Sequence, residues 1–87
     1  MKNKVLIKVI VPELESTYDI FIPVNEYIWR IKALIIKAIS DINGNVLAQS
    51  DNYSLLDKST STIYQNDQIV LNTDIRNASE LYLLRLK

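Results

Sequence analysis

The side chains of this chain that could carry protons in a reaction are carboxylates, and the nearest pair is Glu13 and Glu15, one residue apart. Two carboxylates can divide general acid and general base roles when a pocket drives their pKa values apart. This pair falls in a short polar stretch, residues 12–16, between two apolar runs, where water solvates both groups. The chain has no cysteine and no histidine, which removes thiolate and imidazole nucleophiles, the usual zinc ligand sets and disulfide staples. The residues therefore describe a protein with no catalytic group, no metal site and no cofactor.

Composition narrows the class further. The 87 residues carry ten basic and ten acidic side chains, a formal net charge of zero. General nucleic-acid binders draw affinity from clustered Lys and Arg, so this balance argues against one. With 48% hydrophobic and 23% charged residues, the chain reads as one folded domain, residues 1–87. The apolar run at 5–11 follows a basic N-terminus, but Lys8 interrupts it and no small-residue cleavage site precedes Pro12, so it is not a secretory signal. Nothing approaches the roughly 20 apolar residues of a membrane span. The expectation is a cytoplasmic protein without direct membrane insertion, brought to a membrane only through a protein partner. The two N-x-S triplets at Asn52 and Asn77 read as chance matches.

The elements follow from hydrophobic period. Val5, Ile7, Val9 and Val11 alternate with Leu6, Lys8 and Ile10, predicting a strand over 5–11, and 17–22 alternates again, making a hairpin. The period then lengthens: Ile28, Ile31, Leu34, Ile35, Ala38, Ile39 and Ile42 have helical spacing, with Asn25 as the N-cap and Asn43-Gly44 as the stop, glycine taking a left-handed conformation. Short strands are expected at 53–56 and 62–64 around a turn at 57–61. Residues 65–78 read as a loop or single helical turn anchored by Ile69, Val70, Leu71 and Ile75, and 80–86 as a closing strand. One helix across one face of a mixed sheet of four to five strands gives an α+β two-layer domain.

Pleating assigns the faces. With Val5, Ile7 and Val9 toward the helix, Leu6, Lys8 and Ile10 point away, and by the same rule Tyr18, Ile20, Ile22, Leu81 and Leu83 face in. The outer face then carries Leu6, Ile10, Phe21, Tyr82, Leu84 and Leu86, where a solvated sheet face should be polar. Apolar patches of this kind mark interfaces, so these six residues are the expected partner-binding surface. A second candidate surface is Trp29 with Ile36, which fall about 80–100° around the helix from Ile28. Arg30, Lys32 and Lys37 spread around the helix and read as a solvated face.

The element order, the closing Leu81-Tyr82-Leu83-Leu84-Arg85-Leu86 and the turn Asp74-Ile75-Arg76-Asn77-Ala78-Ser79 resemble the β-grasp fold of ubiquitin. The first half, Val9-Ile10-Val11-Pro12, Thr17-Tyr18-Asp19-Ile20-Phe21-Ile22-Pro23 and the helix through 31–39, is similar to the YukD/EsaB group of bacterial ubiquitin-like proteins. That resemblance covers nearly the whole chain and implies a non-catalytic adaptor of the type VII (ESX-like, WXG100) secretion system of Gram-positive bacteria. Its implied partner is the membrane-associated ATPase of that system or a pseudokinase-like component, met on the outer face of the sheet. Ubiquitin-like modifiers and sulfur carriers are the alternative. They need a terminal Gly-Gly that passes an activating enzyme's narrow channel, whereas this chain ends Arg85-Leu86-Lys87, so conjugation is not expected. A self-associating module, in which the same patch makes a homodimer, is the remaining alternative.

Overall fold

The computed structural model describes residues 3–44 and 47–85. β1 (Lys4–Val11) and β2 (Ser16–Pro23) form an antiparallel hairpin in continuous register from Lys4 opposite Pro23 to Val11 opposite Ser16. Their connection is a 3₁₀ turn at Pro12–Leu14 that closes with Glu15 in the left-handed region, φ 52°. β3 (Tyr53–Asp57) and β4 (Glu80–Arg85) pair antiparallel, and β4 lies parallel to β1, giving a four-stranded mixed sheet in the order β2-β1-β4-β3. Because β1 and β4 run parallel, a long crossover must join the two antiparallel pairs, and the helix α1 (Ile28–Asn43) supplies it. The expected α+β, β-grasp architecture is the one observed.

One face of the sheet and one stripe of α1 make the core. Ile28, Ile31, Ile35 and Ile39 from the helix meet Ile7, Val9, Val11, Ile22, Leu55, Leu81 and Leu83 from the sheet, all fully or almost fully buried. Val70 and Ile75 close the open end from the loop between β3 and β4. Strand alternation and helical period thus bury the central residues that their spacing assigns to the inside, while Val5, Tyr18 and Ile20 in the first hairpin stay half-buried. At 16 residues, α1 is not long and apolar enough to cross a membrane.

Several expectations are corrected. The helix begins at Ile28, with Tyr27 at the N-cap and no side-chain cap, so Asn25 does not cap it. The first free amides are met instead by carbonyls of a distant loop: Ile28 N–H donates to Gln68 O (2.8 Å) and Trp29 N–H to Asn66 O (3.3 Å). The helix does end at Asn43, but Gly44 has φ 78° and ψ −179°, an extended positive-φ conformation rather than the left-handed one. Residues 62–64 do not form a strand; a single bridge, Ile63 to Leu56, attaches them to β3. Ile69 is half-buried and Leu71 65% exposed, so Val70 and Ile75 alone are the buried anchors there. Ile42 is 67% exposed although its angular position matches the core stripe.

Lys32 is the largest departure. Instead of lying on a solvated face it is 6% exposed, and its Nζ donates to the backbone O of Tyr53 at 3.0 Å. Its position, about 40° from Ile28, is the rim of the core stripe. Burial lowers its pKa below that of a free lysine, and Asp51 opposes the shift.

Candidate functional site

The outer face is laid out by register. Leu6 stands opposite Phe21, Lys8 opposite Asp19 and beside Glu80, and Ile10 opposite Thr17 and beside Tyr82, with Tyr82 in turn opposite Leu56 and Leu84 opposite Ser54. Leu6, Ile10, Phe21, Tyr82 and Leu84 therefore share one face, as their alternation requires. Leu86 lies outside the described residues.

That face is not one continuous apolar patch. The row Asp19, Lys8, Glu80, Lys58 crosses the sheet with alternating charge, tied by Lys8 Nζ to Asp19 (3.9 Å) and Lys58 Nζ to Glu80 (3.2 Å). On one side of the row are Leu6, 37% exposed, and Phe21, 55% exposed. On the other are Ile10, Tyr82 and Leu84, each half-buried, joined by Leu56, which stands opposite Tyr82. Cross-strand pairing of Tyr82 with both Ile10 and Leu56 shields these side chains from water. Phe21 sits on the outermost strand and has neighbours on one side only.

Beside Phe21 the surface hollows into a groove of about 570 Å³ lined by Leu6, Phe21, Asn77, Ala78 and the aliphatic part of the charged row. Its far wall is built by an unusual entry into β4. Asn77 Oδ1 accepts the N–H of Leu6 (2.8 Å), standing in for a backbone carbonyl, and Ala78 N–H donates to Leu6 O (2.8 Å). Ala78 holds φ 72°, a left-handed conformation uncommon for alanine. Asn77 is thus engaged in the sheet, and its place in the groove could not be read from its triplet.

The second candidate pair is not brought together. Trp29 is 50% exposed, while Ile36, two turns along, is half-buried against the core. Ile36 lines a separate, more polar hollow of about 600 Å³ with Ala33, Ser40, Gln49 and Ser50, to which Trp29 does not contribute.

Glu13 has a structural partner set. Tyr53, fully buried as a residue, donates its hydroxyl to Glu13 Oε1 (2.8 Å) and accepts Ala48 N–H (3.2 Å), while Arg85 pairs with Glu13 Oε2 (2.9 Å). Burial is the main reason the Tyr53 phenol is raised above its ordinary value, and Glu13 adds to it. Tyr64 repeats the device, donating to Asp74 Oδ1 (2.6 Å), with burial and then Asp74 raising its pKa well above that of a free tyrosine. The Glu13 contacts tie the first turn to β3 and β4, and the Tyr64 contact ties together two stretches of the loop between β3 and β4. Among the described residues no group of three Asp or Glu converges on a metal position.

No family profile matches the chain, and no curated protein matches it. Solved structures do. The N-terminal ubiquitin-like domain of the 4931431F19Rik protein superposes with a TM-score of 0.72 at 19% identity, covering 98% of this chain and 77% of that one. The ubiquitin-like domain of Arabidopsis thaliana protein At2g32350 gives a TM-score of 0.74 at 14% identity, over 98% and 80%. The C-terminal ubiquitin-like domain of human 2'-5'-oligoadenylate synthetase-like protein gives 0.70 at 18% identity, over 98% and 86%. The fold is ubiquitin-like.

Proposed function

We propose that this chain is a non-catalytic ubiquitin-like adaptor that binds a protein partner on the outer face of its sheet, as an accessory of a type VII secretion system. The observation that carries the binding reading is Phe21, an aromatic ring more than half exposed beside Leu6 at the rim of a 570 Å³ groove. Ordinary solvated sheet faces place polar residues at such positions, and exposed apolar groups around a groove are where partners anchor. The fold supports the module, and the similarity of residues 9–12, 17–23 and 31–39 to the YukD/EsaB pattern supports the secretion setting.

The partner of this reading is the membrane-associated secretion ATPase. Capture of its cytoplasmic portion by the immobilised chain should be lost in Phe21→Asp and in Leu84→Asp, with circular dichroism unchanged. Capture that survives both substitutions would remove the outer face as the docking surface, and absence of capture by the unaltered chain would remove the secretion partner.

A further inference from the structure

The two edges of the sheet are treated differently. The β3 edge is covered, because residues 62–64 lie along it: Asp57 N–H donates to Thr62 O (2.9 Å) and Tyr64 N–H to Leu55 O (2.9 Å). The β2 edge is bare. Leu6 and Lys8 spend their backbone groups toward β4, through Ala78 N–H to Leu6 O and Lys8 N–H to Ser79 O. Val5, Ile7 and Val9 therefore bond to β2, through the register partners Ile22, Ile20 and Tyr18. The N–H and C=O groups of the alternate residues Thr17, Asp19 and Phe21 point out of the sheet, and among the described residues they have no partner.

Natural edge strands are protected by being short, by a bulge, by lysine or by proline. β2 is eight residues long, its register is unbroken, it has no lysine, and its proline stands at the very end. Its one charge, Asp19, is partly neutralised by Lys8 at 3.9 Å. The side chains facing the helix layer at this edge, Tyr18 and Ile20, are only half-buried.

We propose that a second copy of this chain pairs antiparallel with β2 about a two-fold axis at Ile20, joining two four-stranded sheets into one. Of the two-fold registers open to the edge, one centred on Tyr18 overlaps only residues 16–20 and bonds only Thr17 to Asp19 of the other copy, and chemistry separates those centred on Asp19, Phe21 and Ile20. Centring on Asp19 sets two carboxylates opposite each other, which is repulsive. Centring on Phe21 sets Asp19 opposite Pro23, whose nitrogen cannot donate. Centring on Ile20 pairs each Asp19 with the other copy's Phe21 and each Thr17 N–H with the other Pro23 carbonyl, about six hydrogen bonds in all. The same register sets Ile20 against Ile20 and Tyr18 against Ile22, covering the half-exposed side chains of the edge. It also places the two Phe21 rings diagonally, within the reach of aromatic side chains across a strand pair. A surface that completes itself under a two-fold is what an isologous dimer requires, and zero net charge sets no long-range repulsion against it.

The test is sedimentation of the full chain across concentration. A dimer is expected. Asp19→Pro removes one outward N–H per copy while leaving the bonds to β1, and should weaken the dimer about tenfold or more, whereas Asp19→Ala keeps the amide and the dimer. Ile20→Cys gives an independent reading in a chain without other cysteine: at the axis the two Cα atoms stand about 4.5 Å apart, inside the disulfide range, so a covalent dimer should form quickly in air. A chain that stays monomeric into the millimolar range, a dimer indifferent to Asp19→Pro with the fold intact, or an Ile20→Cys chain that does not cross-link would each overturn the proposal. Leu84→Asp, which tests the outer face, should leave the dimer untouched, so the two readings fail separately.

Discussion

Lys32, Tyr53 and Tyr64 share one circumstance, a polar head brought into the protein by a side chain long enough to fill the space beneath it. Their titrations move stability in opposite directions. The folded-state pKa of Lys32 lies below its unfolded value of 10.5, so the unfolded chain binds more protons between the two. Stability therefore rises with pH across that window, and the cost of the buried ammonium is present at neutral pH. Lys32→Met should leave stability at pH 7 unchanged or higher by about 1 kcal/mol and should abolish the alkaline rise in urea midpoints. Tyr64 has the reverse sign. Its folded-state pKa lies above 10.0, so its contribution is complete below pH 10 and is lost as the pH climbs toward the folded-state value. Tyr64→Phe should cost about 1–2 kcal/mol at pH 7, through loss of the bond to Asp74, and should flatten the alkaline decline.

At the scale of elements, the joints carry the backbone conformations that side chains rarely adopt. Gly44 ends α1 at φ 78° and ψ −179°. A Cβ added there would meet nothing within 4 Å, so the penalty for Gly44→Ala is one of backbone strain alone, about 1–3 kcal/mol. Ala78 is the converse case, a left-handed residue, φ 72°, that is not glycine. Ala78→Gly should raise stability by about 0.5–1 kcal/mol, the relief of strain exceeding the added freedom of the unfolded chain, as measured by the shift of thermal unfolding. Ala78 and Asn77 together carry the chain from the loop into β4, and Asn77 Oδ1 extends the β1–β4 pairing by one bond. The start of α1 shows the same economy, since Gln68 and Asn66 carbonyls replace a side-chain cap. No local pattern announces such a partner forty residues away.

For the molecule as a whole, the sheet has one dry face and one divided face, and the two respond differently to truncation. Ile35→Ala, under the helix, should cost about 2–5 kcal/mol in chemical denaturation, because a fully buried side chain leaves a cavity. Phe21→Ala, on a ring 55% exposed, should change stability by no more than about 0.5 kcal/mol while weakening partner capture. Equal losses from the two substitutions would mean that Phe21 supports the fold rather than offering a surface. The charged row from Asp19 to Lys58 sets the boundary between the exposed part of the outer face and the half-buried part.

Alternation in residues 5–11, 17–22 and 80–86 and the helical period from Ile28 to Ile39 were enough to derive the layers, the buried side of each element and the side on which Phe21 appears. They suffice because side-chain direction along a strand or helix is a local property of the backbone. The neighbours of each outward residue are a property of strand order and register. Hence the split of the outer face by Lys8 with Asp19 and Glu80 with Lys58, the entry of Leu56, the burial of Lys32 against the Tyr53 carbonyl and the separation of Trp29 from Ile36 all emerged only when distant segments were set side by side. The difference between the covered β3 edge and the bare β2 edge has the same origin: hydrogen bonds between strands join residues that no sequence window contains.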